Sequence, residues 1–266
     1  MSRCVPRRGL AVMVAALLTA PAAWADGADT IAGKRFDTLA AEAKANDDMP
    51  RVADPEVSAL LDTLGDTGRL EALVHTAQPL RPLLATCGES TSVAMAYTLF
   101  DVQRRVNLEA PPDEAAQRMR EVLDANSVRF QDEISRLQPF LIRCIGLQAP
   151  MLASFLADLP AAQRTPVRLQ GARQFQGGAV SLVFGVLTAV PDVRLKPAHR
   201  ATHVVALAGS IGPIAQALPV ASRVQLLVVK RTATAEAPED MKASLRDIDA
   251  ALSDERCEGL CALAAP

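Results

Sequence analysis

The sequence predicts an all-α protein: one compact domain of about eight to ten helices, braced by two disulfides. Three observations carry this. Apolar residues recur at steps of three and four through most of the chain, the spacing of a helix with one buried face. Half of the residues are hydrophobic but only 3% are aromatic, so Ala, Leu and Val dominate, a composition that favours helix over sheet. Four cysteines remain once an amino-terminal leader is set aside, and an even number in an exported chain reads as paired.

The leader comes first. Arg3, Arg7 and Arg8 precede an apolar run from Leu10 to Ala20, and Ala23-Trp24-Ala25 offers the small-x-small pattern that a signal peptidase cuts. The run is too short and wrongly flanked for a membrane anchor. Cys4 lies ahead of it, where a lipoprotein cysteine would not stand. The expectation is a signal peptide over 1–25 and a single domain over 26–266, exported to a bacterial periplasm; the excess of arginine over lysine suits a GC-rich genome.

Within the mature chain a helix is expected near 29–46, followed by a break to Ala53. Asp54-Pro55-Glu56 then starts a helix, with the carboxylate as cap before a proline in the first helical position, and Val57, Leu60, Leu61 and Leu64 on one face. Helices follow near 68–87 and 89–107, with Gly88-Glu89-Ser90-Thr91-Ser92 read as a cap between them. Pro111-Pro112 is a break. Asp113 opens the clearest helix, whose apolar seam runs through Met119, Leu123, Phe130, Leu137 and Leu141 to Cys144, with Pro139 as a kink. Further helices are expected near 148–158, 161–189, 198–217, 219–232 and 238–256, with breaks between Pro191 and Pro197 and around Ala235 to Pro238. Leu159-Pro160-Ala161-Ala162-Gln163-Arg164 is echoed by Leu218-Pro219-Val220-Ala221-Ser222-Arg223, a corner in which proline starts a new helix.

Gly171, Gly178 and Gly185, seven residues apart, would form one smooth helical seam. Each costs about 1 kcal/mol relative to alanine, so close approach of another backbone is expected to offset them. Ala201, Ala208, Gly209 and Gly212 offer the partner surface. A two-stranded element over the valine-rich stretches 175–190 and 224–230 competes with the helical reading.

The cysteines should pair Cys87 with Cys144 and Cys257 with Cys261. Cys87 continues a stripe through Leu80 and Leu83, and Cys144 one through Leu137 and Leu141, so both thiols face the core. A redox or metal role for Cys257 and Cys261 is the sharper alternative, but C-x₃-C is not the thioredoxin spacing and no histidine is near in sequence.

Charge is segregated. Residues 26–158 carry −8 and residues 159–235 carry +8, while the tail over 236–266 carries −5. The basic block could meet an acidic envelope partner, with Arg194, Lys196 and Arg200 as its binding face; internal pairing with the acidic helices is the alternative. A slightly acidic total in an exported chain argues against nucleic acid, and the scarcity of rings against sugar or base stacking.

His199 and His203 stand at i and i+4, the spacing of the zinc histidines in H-E-x-x-H, but Arg200 occupies the position of the glutamate base. A zinc site would need a third ligand from His75 or a distant carboxylate. No G-x-S-x-G, S-x-x-K, Walker loop or dinucleotide fingerprint is present. The functional expectation is therefore a non-catalytic periplasmic protein, without cofactor and not stably inserted in a membrane, that binds an envelope or secreted protein or an anionic envelope ligand. A zinc-dependent envelope enzyme and a self-associating structural protein are the alternatives.

Overall fold

The computed structural model describes residues 31–76, 79–107 and 109–263; the proposed leader lies outside them. Among the described residues every regular element is helical. The order is α1 (Ile31–Lys44), α2 (Pro55–Leu64), α3 (Gly68–Val74), α4 (Leu80–Thr98), α5 (Val102–Arg105), α6 (Pro112–Arg129), α7 (Gln131–Asp158), α8 (Pro166–Ala189), α9 (Pro197–Ala208), α10 (Ile211–Ala217), α11 (Val220–Glu236), α12 (Glu239–Leu252) and α13 (Leu260–Leu263). The stretches for which strands competed lie inside α8 and α11. As the sequence predicts, Asp54 caps α2: its carboxylate accepts the Glu56 N–H at 2.8 Å, with Pro55 in the first turn.

The spine is α7. Its 28 residues extend about 42 Å, and α2, α4, α6, α8, α9, α10 and α13 all pack on it. By length and composition it is apolar enough to cross a membrane, but here its apolar residues form the shared wall of two cores. On one side Leu137, Phe140 and Leu141 join Leu61, Leu64, Leu83 and the rings of Phe36, Tyr97 and Phe130, with Tyr97 edge-on to Phe36 and tilted against Phe130 at centroid distances of 5.6 and 5.5 Å. On the other, Ile142 joins an aliphatic core of Val183 and Leu187 from α8, Leu207 from α9, Ile214 from α10, Leu226 from α11 and Ile248 from α12. Both expected disulfides are closed. Cys87–Cys144 joins α4 to α7, and Cys257–Cys261 fastens the tail.

Several expected boundaries move, and the helices expected near 68–87 and 89–107 become α3, α4 and α5. The reading of Gly88-Glu89-Ser90-Thr91-Ser92 as a cap is corrected: these residues lie inside α4, which starts after Pro79. Glu89 and Ser90 are buried, Glu89 accepting the Gly33 N–H at 3.0 Å and pairing with Arg69 at 3.1 Å, while Ser90 donates to the Leu64 carbonyl at 2.8 Å. The long helix opened at Asp113 ends at Arg129, because Phe130 leaves helical geometry at φ −111° and ψ 25°. It resumes as α7, which runs through Pro139 and Pro150 and absorbs the helix expected near 148–158. The helix expected over 198–217 divides at Gly209-Ser210 into α9 and α10.

The arginines of the echoed hexapeptides share a task. Arg164 donates to the carbonyls of Ala157 and Leu159, at 2.9 and 3.1 Å, where α7 ends. Arg223, fully buried, donates to the carbonyls of Asp254 and Arg256 just beyond α12. A guanidinium suits the Arg164 site because a helix carboxyl end leaves carbonyls unbonded and carries partial negative charge, whereas Arg223 satisfies two carbonyls of the segment that follows α12.

Candidate functional site

The glycine seam does not meet another backbone. A Cβ built on Gly171, Gly178 or Gly185 would find nothing within 4 Å, and the same is true of Gly212 in the expected partner surface. Close approach occurs elsewhere. At Gly65 a Cβ would strike the backbone carbonyl of Arg136 on α7, and at Gly146 it would lie 3.0 Å from the Ser210 Cβ. Those two glycines seat α2 and the α9–α10 corner against the spine.

What the seam borders is a groove of about 340 Å³ between α4, α7 and α8. The disulfide holds α4 and α7 together with Cα atoms 5.9 Å apart and forms part of the lining. Across from it, Gly178 and Gly185 withhold side chains that would otherwise fill the space. Among the described residues none that lines the groove is acidic, basic or histidine; Met95, Leu141, Ile145, Phe175 and Leu182 are among its apolar residues, with threonine, serine and glutamine between them. The hydroxyls are already used. Thr91 donates to Cys87 O at 2.7 Å, Thr98 to Ala94 O at 2.9 Å and Ser181 to Gly177 O at 3.0 Å, each within its own helix. Gln148 differs: it is 1% exposed, lines the groove, and its Nε2 has no hydrogen-bond partner.

The three basic residues singled out in the sequence lie around the α8–α9 turn, and all are engaged inside the molecule. Arg194 forms a bidentate pair with Asp124 at 2.7 and 2.8 Å and a second pair with Asp192, whose carboxyl it holds below the usual range. Lys196 Nζ contacts both oxygens of Asp132 at 2.6 and 2.7 Å. These two side chains stay about half exposed, at 52% and 55%, so each pair contributes little to stability. Arg200 is buried and donates to Val190 O at 2.6 Å, at the carboxyl end of α8.

His199 Nε2 lies 3.4 Å from Asp132 Oδ1, and burial pushes its imidazole below the ordinary value. His203, one turn on, is lowered further, to about 4, by burial first and by His199 second. Among the described residues no three His, Cys, Asp or Glu side chains are grouped so as to hold a metal. Cys257 and Cys261 are joined to each other as a disulfide.

Sequence reasoning found the glycines but not the groove, and nothing in the sequence marks Gln148. No protein-family model, curated protein or solved structure matches this chain.

Proposed function

We propose that this is an exported, disulfide-braced binding protein of the bacterial envelope, which holds an uncharged and mainly apolar small molecule in the α4–α7–α8 groove without transforming it. The uncharged lining of that groove carries the reading. A volume of about 340 Å³ falls within the range of small-ligand sites, and the few polar groups among apolar ones match their usual chemistry. The leader-like amino terminus and the two closed disulfides support an oxidising compartment outside the cytoplasm. An anionic ligand fits this groove poorly, because none of its described lining residues is a cation.

Titration of the purified protein with phenylnaphthylamine, a fluorophore that brightens in apolar sites, tests the proposal. Saturable binding at one molecule per chain is expected, and Gly178→Phe, which fills the groove from α8, should abolish it while leaving the helical circular dichroism intact. Binding that fails to saturate, or that survives Gly178→Phe unchanged, would refute it.

A further inference from the structure

Gln148 narrows the class of ligand, on the reading that the groove is a binding site. Among the described residues three side-chain amides are buried, Asn126, Gln148 and Gln176, and that of Gln148 is the exception. Gln176 donates to Ala217 O at 2.7 Å and to Leu260 O at 3.3 Å, and Asn126 donates to Thr98 O at 3.0 Å and Phe100 O at 2.8 Å. The fold therefore provides acceptors for buried amides where it needs them. A buried donor left without one is costly, and an apolar side chain of the same shape would remove that cost. A partner arriving with the ligand explains why an amide stands there.

The surroundings restrict that partner. It must accept a hydrogen bond, because the unpaired atom is Nε2. It must be uncharged, because an ionised carboxylate or phosphate would meet no cation in the lining. It must also lie at one end of the groove. Gln138, Leu141, Ile145 and Gln148 follow one another along one face of α7 over about 15 Å, and the Gln148 end abuts the closed cluster of Ala149, Phe175 and Leu156. Between the two glutamines that length is apolar, at Leu141 and Ile145. The hydroxyls of Thr91, Thr98 and Ser181 are bonded to their own helices, Gln174 is engaged, and Gln138 is half-buried ten residues away on α7, which leaves Gln148 as the buried donor at that end.

We infer that the groove takes a neutral acyl ester or amide, its carbonyl accepting a hydrogen bond from Gln148 Nε2 and its hydrocarbon chain lying along α7 between α4 and α8. Ester and amide share the recognised carbonyl, and separate probes tell them apart.

The experiment is competition against phenylnaphthylamine by methyl laurate, N-methyl lauramide, and the straight-chain alkane of matching length, on the purified wild-type protein and on Gln148→Met. Methionine keeps the length of the side chain and removes the donor. It should fold at least as stably, since an unpaired buried group disappears. In the wild type the carbonyl probes should displace the fluorophore about five- to tenfold better than the alkane, the contribution of one neutral hydrogen bond. In Gln148→Met that preference should vanish while fluorophore affinity stays unchanged. The Gln148 side-chain amide signal should shift with the carbonyl probes and not with the alkane. If the fluorophore binds but the alkane competes as well as the ester in the wild type, or the preference survives in Gln148→Met, the carbonyl assignment is wrong and the groove remains a binding site. If the wild type binds no probe, both readings fall together.

Discussion

Replacing Cys87 and Cys144 together by alanine unties α4 from α7 within the first core. Both sulfurs are buried, and the residues they join are 57 positions apart. In the chain-entropy account, closing a loop of that size restricts the unfolded chain by about 4 kcal/mol. Cys257 and Cys261 are only 4 positions apart, and the same relation yields about 2 kcal/mol. For a chain of this length each kcal/mol moves the melting temperature by about 2–4 °C. The Cys87→Ala/Cys144→Ala variant should therefore melt about 8–16 °C lower, and the Cys257→Ala/Cys261→Ala variant about half as far. Thermal unfolding followed by far-ultraviolet circular dichroism, with urea midpoints as a second measure, checks both. A larger loss from the short tail loop than from the long one would refute the argument that loop length sets the contribution. It would point instead to the contacts that the tail makes with buried Arg223.

Two further predictions use the same assays. His203 in the folded protein binds a proton only near pH 4, whereas the unfolded chain binds it near the ordinary value of 6.5. The unfolded state is therefore favoured as pH falls through that window, so stability should drop by about 3 kcal/mol between pH 6.5 and pH 4, and His203→Gln should flatten this limb. An imidazole that titrates near 6.5 by NMR would overturn it. The glycines should respond with opposite signs. Gly65→Ala drives a methyl onto the Arg136 carbonyl and should cost about 1–3 kcal/mol, whereas Gly171→Ala meets open space and should stabilise α8 by about 1 kcal/mol in urea unfolding.

Helical class and disulfide pairing were legible because they follow from local rules. Asp54-Pro55 is a cap within three residues, and the stripes leading to Cys87 and Cys144 need only helical periodicity to aim both thiols inward. The break at Phe130 was not legible, since the apolar seam continues in phase on both sides of it: Phe130, Leu137 and Cys144 are all buried. Periodicity registers which face is apolar, not whether one residue on it bends. Glu89 and Ser90 were misread because their partners, Gly33, Arg69 and Leu64, are 20 to 56 residues away. Polar residues beside a glycine look like a cap until those partners are known. The groove was hidden for a similar reason. A glycine seam announces that something needs room, but only the placement of α4 and α7 shows that the room is left open.

The one tyrosine of the chain, Tyr97, sits between Phe36 and Phe130 with its hydroxyl donating to Pro50 O at 2.9 Å, and burial pushes its phenol well above the ordinary value. None of the buried residues of the second core is aromatic. With Trp24 inside the proposed leader, tyrosine emission becomes a built-in reporter of one half of the molecule and is blind to the other. Set beside a backbone signal, that spectroscopic lopsidedness offers a label-free way to time the two halves against each other as the protein comes apart.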